Sequence, residues 1–467
     1  MTNNRLKKTI AVIGGGMTGI AAAFELSRSG CYDVTLYEKQ DRVGGLCGYF
    51  EWEDVAWDRF YHVILSTDSI MLEFIRELGL EDELFWQQTK SGFYGDGRLV
   101  SMSSALDFMK FPFMTLWQKF RLGMGILYSA RIKDPTKLDR IYVREWLTRV
   151  FGRRVYENIW DPLLRSKLGD ARQRTSAAFI WATINRLYGA RNTESKQEKM
   201  GHVHGGYKRI LQAAEKRLRE QGVQILLSSP VERIEPGYSS ADSNWQPPLA
   251  SQPTADNHHL CLYSNGVARR FDNVLLTVDC PAITQMVEKR DSHPYWSQLD
   301  KVEYLGVICL RLILRKKLSP FYVINLLDRQ LPFTGIIEAT NIVPPDEVGG
   351  KHIVYLPKYL PADDPLNRLS DGEIKKLFLA GLKKVYPELG DSDILHSEIS
   401  RERYVQPLQE LNYLDRTSGF QTPVKNLFMV NTSMIYNSTL NNNAAVILAK
   451  KAVKFVLAAK TTSVHVR

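Results

Sequence analysis

The sequence lacks any long uninterrupted apolar run. Hydrophobic residues make up 44% of its 467 positions, yet no stretch approaches the roughly 18 consecutive apolar residues that a membrane-spanning helix needs. The N-terminal segment MTNNRLKK is polar, and the apolar residues after it lead into a glycine-rich turn, so no signal peptide is predicted. We therefore expect a cytoplasmic protein.

Cysteine is scarce. The five cysteines lie far apart and form no Cys-x-x-Cys pair, which argues against both a disulfide framework and a zinc finger. His202 and His204 form a His-x-His pair, but two histidines alone make a poor metal site. Their position directly before Gly205 and Gly206 favours the lining of an active site instead. We predict no metal and a reducing compartment.

The sequence has only a moderate excess of positively charged over negatively charged residues. Lys and Arg number 61 against 51 Asp and Glu, a net charge of +10. Spread over a chain of this length, the surplus favours solubility and does not indicate a nucleic-acid-binding protein. It leaves open an anionic small-molecule substrate or an anionic membrane surface. Arg165, Lys167, Arg172 and Arg174 form a basic cluster that could bind such a substrate, with a solvated surface as the default interpretation.

The N-terminal region contains a strand–turn–helix–strand pattern. Residues 9–13 are apolar and partly β-branched, as in a buried parallel strand, and Gly14-x-Gly16-x-x-Gly19 follows at once. Gly14 permits the sharp turn, Gly16 lets the backbone approach a pyrophosphate, and Gly19 lets the helix pack on the strand. Glu38 ends the second strand, where an acid binds a ribose hydroxyl. The pattern predicts dinucleotide binding.

The helix after this turn points its N-terminus at the expected phosphates. The helix is predicted to begin with the Ala-rich run from Ile20 to Ser27, and the backbone N–H groups at its N-terminus have no partner within the helix. Met17 and Thr18, inside the glycine motif, are predicted to bind the cofactor. Glu38 would repel the extra phosphate of NADP, for which an arginine is preferred. The acidic residue therefore argues against NADP.

A second glycine pair, Gly44-Gly45, follows Arg42 shortly after Glu38. Here the sequence resembles the FAD family that contains protoporphyrinogen oxidase, flavin amine oxidases, phytoene desaturases and, more distantly, UDP-galactopyranose mutase. The resemblance implies FAD as the cofactor, with Arg42 neutralising pyrophosphate charge and the glycine pair passing beneath the flavin. It also places these residues at the cofactor: Lys39, Leu46, Val231, Thr277, Asn431, Asn441 and Asn442.

The C-terminal segment follows the same family pattern. A buried strand at 426–430, an Asn-rich turn and a helix from Ala444 stand in the order that the family uses beside the flavin. Asn441 or Asn442 is expected to be the N-cap of this helix. The positive end of the helix dipole would then stabilise negative charge on the reduced flavin.

The predicted fold class is α/β. The resemblance implies a Rossmann-like FAD-binding domain of the GR2 type, interleaved with an α+β substrate domain that has a helical insertion and an antiparallel sheet. The FAD-binding domain is expected to comprise residues 1–65, 200–283 and 416–467. The substrate-binding domain is expected to comprise residues 66–199 and 284–415.

Residues 106–132 are rich in aromatic residues and methionine, with scattered Lys and Arg. Trp117, Phe120, Met124 and Leu127 recur on one face of a predicted helix. A core helix is the favoured interpretation. A roof over the substrate pocket and a peripheral membrane contact with snorkelling basic residues stay open.

The resemblance implies an FAD-dependent oxidoreductase that oxidises an unidentified small organic substrate by hydride transfer to flavin N5. Family members carry a segment past the flavin that corresponds to residues 58–62, so Arg59 and His62 are candidate catalytic residues, together with Tyr436. An ordinary strand with satisfied polar groups is the equal alternative for that segment. Nothing in the sequence predicts an oligomeric state.

Two departures separate the sequence from the flavin amine oxidases. Val307, Ile308 and Cys309 stand where those enzymes place a lysine, and Leu440 stands where they place a second cage tyrosine. The overall layout is closer to protoporphyrinogen-oxidase-like proteins. Two alternatives stay open: a non-redox mutase or isomerase of the UDP-galactopyranose mutase type, and a flavoprotein whose FAD is mainly structural.

Overall fold

The computed structural model describes residues 7–191, 199–236, 259–287, 293–436 and 438–462. A surface loop that the Ser- and Pro-rich composition predicts at 239–258 lies outside the described residues. In the described part of the chain, no helix combines the length and the apolarity that crossing a membrane requires. No disulfide bond joins the five cysteines.

The described residues form strands throughout the chain. In chain order these are β1 Lys8–Ile13, β2 Tyr32–Tyr37, β3 Tyr49–Trp52, β4 Val55–Asp58, β5 Ile64–Leu65, β6 Leu84–Gln88, β7 Ser91–Gly95, β8 Arg98–Ser101, β9 Lys199–Val203, β10 Gln224–Leu226, β11 Val231–Pro236, β12 Leu260–Ser264, β13 Val267–Phe271, β14 Asn273–Leu276, β15 Tyr304–Leu314, β16 Val323–Leu326, β17 Gly335–Glu338, β18 His352–Leu360, β19 Ile394–Pro407 and β20 Leu427–Met429.

The helices alternate with these strands near both chain ends and cluster between residues 105 and 191. In chain order they are α1 Met17–Arg28, α2 Ser69–Glu77, α3 Ala105–Lys110, α4 Leu116–Arg131, α5 Val143–Phe151, α6 Arg153–Val155, α7 Asp161–Leu168, α8 Ala177–Arg191, α9 Gly206–Glu220, α10 Cys280–Met286, α11 Pro294–Asp300, α12 Asp371–Val385, α13 Tyr413–Arg416 and α14 Asn442–Thr462.

A parallel sheet in the order β10-β2-β1-β14-β20 confirms the predicted Rossmann-like core. Strand β1 lies at its centre and is buried on both faces. Ile10 and Val12 pack with helices α1, α9 and α14, whereas Ala11 and Ile13 pack towards β12 and α10. Both faces are apolar because side chains alternate along a strand and each face of this sheet is covered.

A second sheet has the order β19-β15-β18-β17-β16-β7-β8. Strand β15 pairs with the edge strand β19 and with β18, and all eleven of its residues are buried. The predicted antiparallel sheet is present and contains one parallel pair, β16 with β7. The β7–β8 hairpin, from a distant part of the chain, thereby extends the sheet beyond the segment that was predicted to form it.

The helical insertion contains α3 to α8. The predicted core position of the apolar face on α4 is wrong, since Trp117 and Phe120 are 67% and 58% exposed. The buried side of α4 instead carries small and polar residues, among them Gly125 and Ser129. A Cβ at Gly125 would lie 2.5 Å from the ring of Phe151. Close helix packing therefore selects the small residues for the interior and leaves the large ones outside.

Candidate functional site

The two outer glycines of the N-terminal motif have different surroundings. Gly14 has a φ of +109°, which side chains rarely tolerate, so the turn requires glycine there. A Cβ at Gly19 would lie only 1.9 Å from the Gly14 carbonyl oxygen, so this glycine lets α1 pack on the turn. A Cβ at Gly16 would meet no atom within 4 Å. The open space above Gly16 is where a pyrophosphate fits.

Glu38 lies buried against the turn. Its carboxylate accepts the Gly15 N–H at 2.7 Å and the Gln40 N–H at 2.9 Å, one on each oxygen. Each carboxylate oxygen has a second lone pair, so acceptor capacity remains for a ribose hydroxyl. The residue therefore braces the glycine turn as well as occupying the predicted ribose position.

The second glycine loop docks directly on the first. The Gly44 N–H donates to the Gly15 carbonyl at 2.7 Å, and Gly44 and Gly45 have φ values of +132° and +55°. Arg42 is half-buried, with its guanidinium 4.9 Å from the centroid of the Tyr49 ring. The loop thus stands beside the open space above the first glycine turn.

The start of α14 completes this region from the other end of the chain. Asn441 accepts the Ala444 N–H at 2.9 Å and is therefore the N-cap, with Asn442 as the first helical residue. The Cys47 thiol donates to Asn442 Oδ1 at 3.1 Å. This hydrogen bond joins the second glycine loop to the N-terminus of α14, although Cys47 and Asn442 are 395 positions apart in sequence.

The other predicted cofactor residues lie in three kinds of place. Thr277 Oγ1 donates to the Ile13 carbonyl at 2.8 Å, directly under the glycine turn. Asn431 is buried and donates to the Val278 carbonyl at 2.8 Å. Met17 and Thr18 are buried in the first turn of α1, Leu46 is half-buried, Lys39 is exposed, and Val231 lies on a separate three-stranded sheet, β11-β12-β13.

His62 lies against the loop that carries Cys47. Its Nδ1–H donates to the Phe60 carbonyl at 3.1 Å, and Nε2 is 3.9 Å from Cys47 Sγ. Burial lowers the pKa of His62 to about 4. Burial raises the pKa of the neighbouring Asp58 to about 8, against the Tyr207 N–H bond that lowers it, and raises the pKa of the Cys47 thiol to about 12. All three groups are therefore neutral near pH 7.

The other two catalytic candidates point elsewhere. Arg59 forms an ion pair with Glu402 on β19, and its guanidinium lies 4.8 Å from the centroid of the Phe60 ring. The Tyr436 hydroxyl is buried and has no hydrogen-bond partner among the described residues. The structure thus brings His62, and not Arg59, to the contact between Cys47 and Asn442.

His202 and His204 meet a third polar residue. Glu347 Oε1 lies 3.1 Å from His202 Nε2 and 2.8 Å from His204 Nδ1, and Oε2 accepts the Gly205 N–H at 2.9 Å. Partial burial acts to raise the pKa of Glu347, but these hydrogen bonds bring it below its ordinary value. The donor atoms of the three side chains lie within 4.8 Å of one another and could hold a metal ion. The absence of a metal stays a prediction.

Sequence reasoning missed one contact of the 58–62 segment. The hydroxyls of Tyr61 and Tyr359 lie 2.9 Å apart, although the residues are 298 positions apart in sequence. Nothing in the local pattern around Tyr359 indicates this contact. Cys47, by contrast, lies two residues after the second glycine pair, so its position could have been singled out.

A family model described as "Flavin containing amine oxidoreductase" matches residues 17–445. A putative flavin-containing monoamine oxidase, AofH, from Mycobacterium tuberculosis is 27% identical over 252 residues, which cover 50% of this chain and 53% of the relative. Coproporphyrinogen III oxidase from Staphylococcus aureus is 20% identical over 336 residues, covering 65% and 67%. The chain therefore spans about half to two thirds of the length of these relatives.

Two solved structures are similar over nearly the whole chain. A putative protoporphyrinogen oxidase from Exiguobacterium sp. 255-15 has a TM-score of 0.72 at 17% identity and covers 97% of this chain and 99% of that one. Reduced UDP-galactopyranose mutase also has a TM-score of 0.72, at 16% identity, covering 97% and 96%. At these identities the likeness shows the fold.

The glycine motifs, their packing against α14 and the family match agree. The predicted α/β fold is confirmed, and the predicted flavin oxidoreductase class is confirmed at the level of the family. The residues around Gly16, Glu38 and Asn442 fit a bound dinucleotide, because they combine open space, free acceptor capacity and a helix N-terminus. The chain belongs to the flavin-containing amine oxidoreductase family, with FAD as its cofactor.

Proposed function

We propose that this chain oxidises a small organic molecule with FAD as its cofactor. When bound, FAD accepts a hydride at N5 and passes the electrons on to oxygen or another acceptor. The observation that carries the proposal is the contact of Cys47 with both His62 and Asn442, which joins the second glycine loop to the N-terminus of α14. By resemblance to the family, we expect these two elements to lie beside the flavin ring.

The side chains around this contact suit such a reaction. His62 is neutral, and because Nδ1–H donates to the Phe60 carbonyl, Nε2 is left as an acceptor that can orient a substrate N–H or O–H. The first turn of α14 carries a partial positive charge that stabilises negative charge beside it. Removal of a hydride itself requires no general base on the protein.

The same region does not favour a simple amine as the substrate. Cys309, at the position of the amine oxidase lysine, is buried in β15, where burial raises the pKa of its thiol to about 12. Leu440, at the position of the second cage tyrosine, packs against the same apolar cluster as Tyr61. We therefore propose a protoporphyrinogen-oxidase-like reaction on a substrate that is not a simple amine, without assigning a porphyrin.

Anaerobic mixing of the yellow, FAD-loaded protein with a panel of small organic compounds tests this proposal. We expect at least one compound to bleach the visible flavin band, and His62→Gln to slow the bleaching about tenfold or more while FAD stays bound. His352→Gln, in another part of the molecule, is the matched control. Turnover that requires prior reduction and gives no net redox change would instead indicate a mutase, and a purified protein that binds no FAD would overturn every flavin hypothesis.

We also propose a cytoplasmic location with a peripheral membrane contact. The contact surface is the outer face of α3 and α4, which we call the α4 face: Leu106, Met109, Leu116, Trp117, Phe120, Met124, Leu127 and Tyr128, each at least 38% exposed. Trp and Tyr are enriched where proteins meet the bilayer interface, and Phe, Leu and Met bury readily among acyl chains. An exposed apolar face of this extent marks an interaction surface.

Charge around the α4 face selects an anionic lipid surface as its partner. Lys110, Arg131 and Lys133 are exposed beside it, whereas Asp134 is the one exposed acid in the fully described stretch 105–134. Basic side chains beside an apolar helix face attract anionic head groups while the apolar residues insert. A second copy of the same basic face would be repelled.

Flotation with vesicles tests the membrane contact. We expect the FAD-loaded protein to float with phosphatidylglycerol-containing vesicles more than with pure phosphatidylcholine vesicles, and the double variant Trp117→Ser, Phe120→Ser to stay in the soluble fraction. Val267→Ser with Leu377→Ser, which changes two exposed apolar residues elsewhere, is the matched control. Equal flotation of both double variants, or a dimer in solution that the first variant dissociates, would contradict the proposal.

A further inference from the structure

The four basic residues of the predicted cluster do not share one environment. Arg165 lies 3.8 Å from a carboxylate oxygen of Asp161, Arg172 lies 3.1 Å from the other, and Arg174 lies 2.7 Å from Glu303. Among the described residues, no carboxylate forms an ion pair with Lys167 on the same helix as Arg165. The cluster is therefore three neutralised arginines and one lysine that faces a different region.

Lys167 is half-buried between two aromatic rings. Its Nζ lies 5.6 Å from the ring centroid of Phe179 and 5.7 Å from that of Tyr359. These distances are near the outer limit of about 6 Å for a cation–π contact, and ring faces supply none of the acceptors that an ammonium group with three N–H donors needs. Burial and the charge of Arg186 lower the pKa of Lys167. The charge thus lacks a counter-ion in the described residues.

The ring of Tyr359 connects Lys167 to the candidate flavin contact. The Tyr359 hydroxyl is 2.9 Å from that of Tyr61, and Tyr61 directly precedes His62. On the other side, Arg186 donates to Thr439 at 3.0 Å, two residues before the N-cap of α14, and to Asp68 at 3.1 Å. Lys167 and Arg186 therefore approach the same region from two different helices, α7 and α8.

We propose that Lys167, supported by Arg186, binds an oxyanion group of the substrate, a carboxylate or a phosphate, beside the rings of Phe179 and Tyr359. This inference rests on the proposed function, because it assigns the substrate class of the same site. An ammonium group held in a partly dry site is costly unless an anion pairs with it. Arg186 is already paired with Asp68, so the surplus of one positive charge matches a group with one negative charge.

Calorimetric titration of the FAD-loaded protein with benzoate, phenyl phosphate and benzamide tests the proposal without knowledge of the natural substrate. The phenyl ring of each compound can pack against the rings of Phe179 and Tyr359. The two anions distinguish a carboxylate from a phosphate, and benzamide is the neutral isostere of benzoate. We expect one of the anions to bind wild type about tenfold to a hundredfold more tightly than Lys167→Met. Lys167→Arg should retain most of the affinity, and Arg165→Met, on the same helix but paired at the surface, should leave it unchanged.

Equal binding of the anion to wild type and Lys167→Met, or binding of benzamide as tight as that of benzoate to wild type, would overturn the inference. Circular dichroism and FAD content of each variant show that the fold and the cofactor site are retained. Failure of the proposed function is a separate result. One such result is that anion binding depends on Lys167 although no compound bleaches the flavin. That result would support the anion site and contradict the proposed oxidation.

Discussion

Asp58 and His62 show how burial sets the charge of single residues at this site. His62 Nδ1 lies 3.8 Å from Asp58 Oδ2, close enough for an ion pair, and the side chains are 19% and 3% exposed, respectively. Because burial penalises every charged form, it raises the pKa of the acid to about 8 and lowers that of the base to about 4. The pair is therefore neutral near pH 7 and not an ion pair.

This neutral pair predicts how stability depends on pH. The pKa of Asp58 rises from 3.8 to about 8 on folding, so stability that the protonated acid contributes is lost as pH rises towards 8. The pKa of His62 falls from 6.5 to about 4, so its effect is confined to lower pH, where stability falls as pH falls from 6.5. Above pH 6.5 only Asp58, of these two, changes.

We expect the free energy of unfolding of wild type to fall by on the order of 1 kcal/mol between about pH 6.5 and 8, and Asp58→Asn to abolish this fall. The amide oxygen of asparagine can still accept the Tyr207 N–H, so the fold is retained. Urea unfolding at several pH values measures the effect. Asp363→Asn, which changes an exposed acid, should behave like wild type. A pH slope unchanged in Asp58→Asn would mean that the buried acid is ionised.

At the scale of an element, the turn between β1 and α1 assigns separate tasks to glycines three residues apart. Gly19 is surrounded by the backbone of the turn, and Gly16 faces open space in an ordinary extended conformation, with φ of −73°. One glycine is therefore required by the protein itself. The other leaves room for a ligand.

Alanine substitutions at the two positions should consequently affect different properties, FAD binding at Gly16 and stability at Gly19. Gly16→Ala should fold with unchanged stability in the absence of FAD but lose most of its FAD, because the methyl group occupies the space of the pyrophosphate. Gly19→Ala should destabilise the protein by on the order of 3 kcal/mol even without FAD, because backbone atoms cannot move aside. Thermal unfolding of the flavin-free variants and the ratio of flavin to protein absorbance measure both effects. Normal FAD content in Gly16→Ala would contradict the assigned phosphate position.

At the scale of the whole molecule, the two ends of the chain are packed into one core. Helix α14 lies against α1, with Val446, Ala449 and Val453 in the same apolar cluster as Ile20 and Ala23. Through Asn442 and Cys47, this packing also positions the far side of the candidate flavin site. We therefore expect the packing of α14 on α1 to affect cofactor binding.

A charge placed between these helices should disrupt both properties together. Val446 is fully buried, so Val446→Asp should destabilise the protein by on the order of 4 kcal/mol and lower its affinity for FAD. Chemical unfolding and equilibrium dialysis of FAD measure the two effects. Lys454→Gln makes the same change in net charge on the exposed side of α14 and should leave both unchanged. Unaltered FAD affinity in Val446→Asp would show that the C-terminal helix does not position the site.

The cofactor and the strand–turn–helix unit that begins the fold were predictable because their signals are local. The glycine turn, Glu38 and the second glycine loop lie within a short stretch of the chain. The conformation of the neighbouring backbone determines which residue type is needed at each of these positions. The α4 helix was predictable as a helix but not in its orientation. Periodicity shows that Trp117 and Phe120 share a face, whereas the inside position of Gly125 depends on how closely Phe151 approaches.

The sequence by itself determined the cofactor and the α/β fold, since the motifs that bind a dinucleotide are contiguous and their backbone geometry demands particular residues. Only the tertiary structure decided which face of α4 is exposed and which residue of the basic cluster has no counter-ion among the described residues. It also decided that His62, and not Arg59, contacts Cys47 in the second glycine loop. Those outcomes depend on contacts between distant segments, such as Tyr61 with Tyr359 and Cys47 with Asn442. No local pattern carries information about such contacts, because they form only when separate elements pack together.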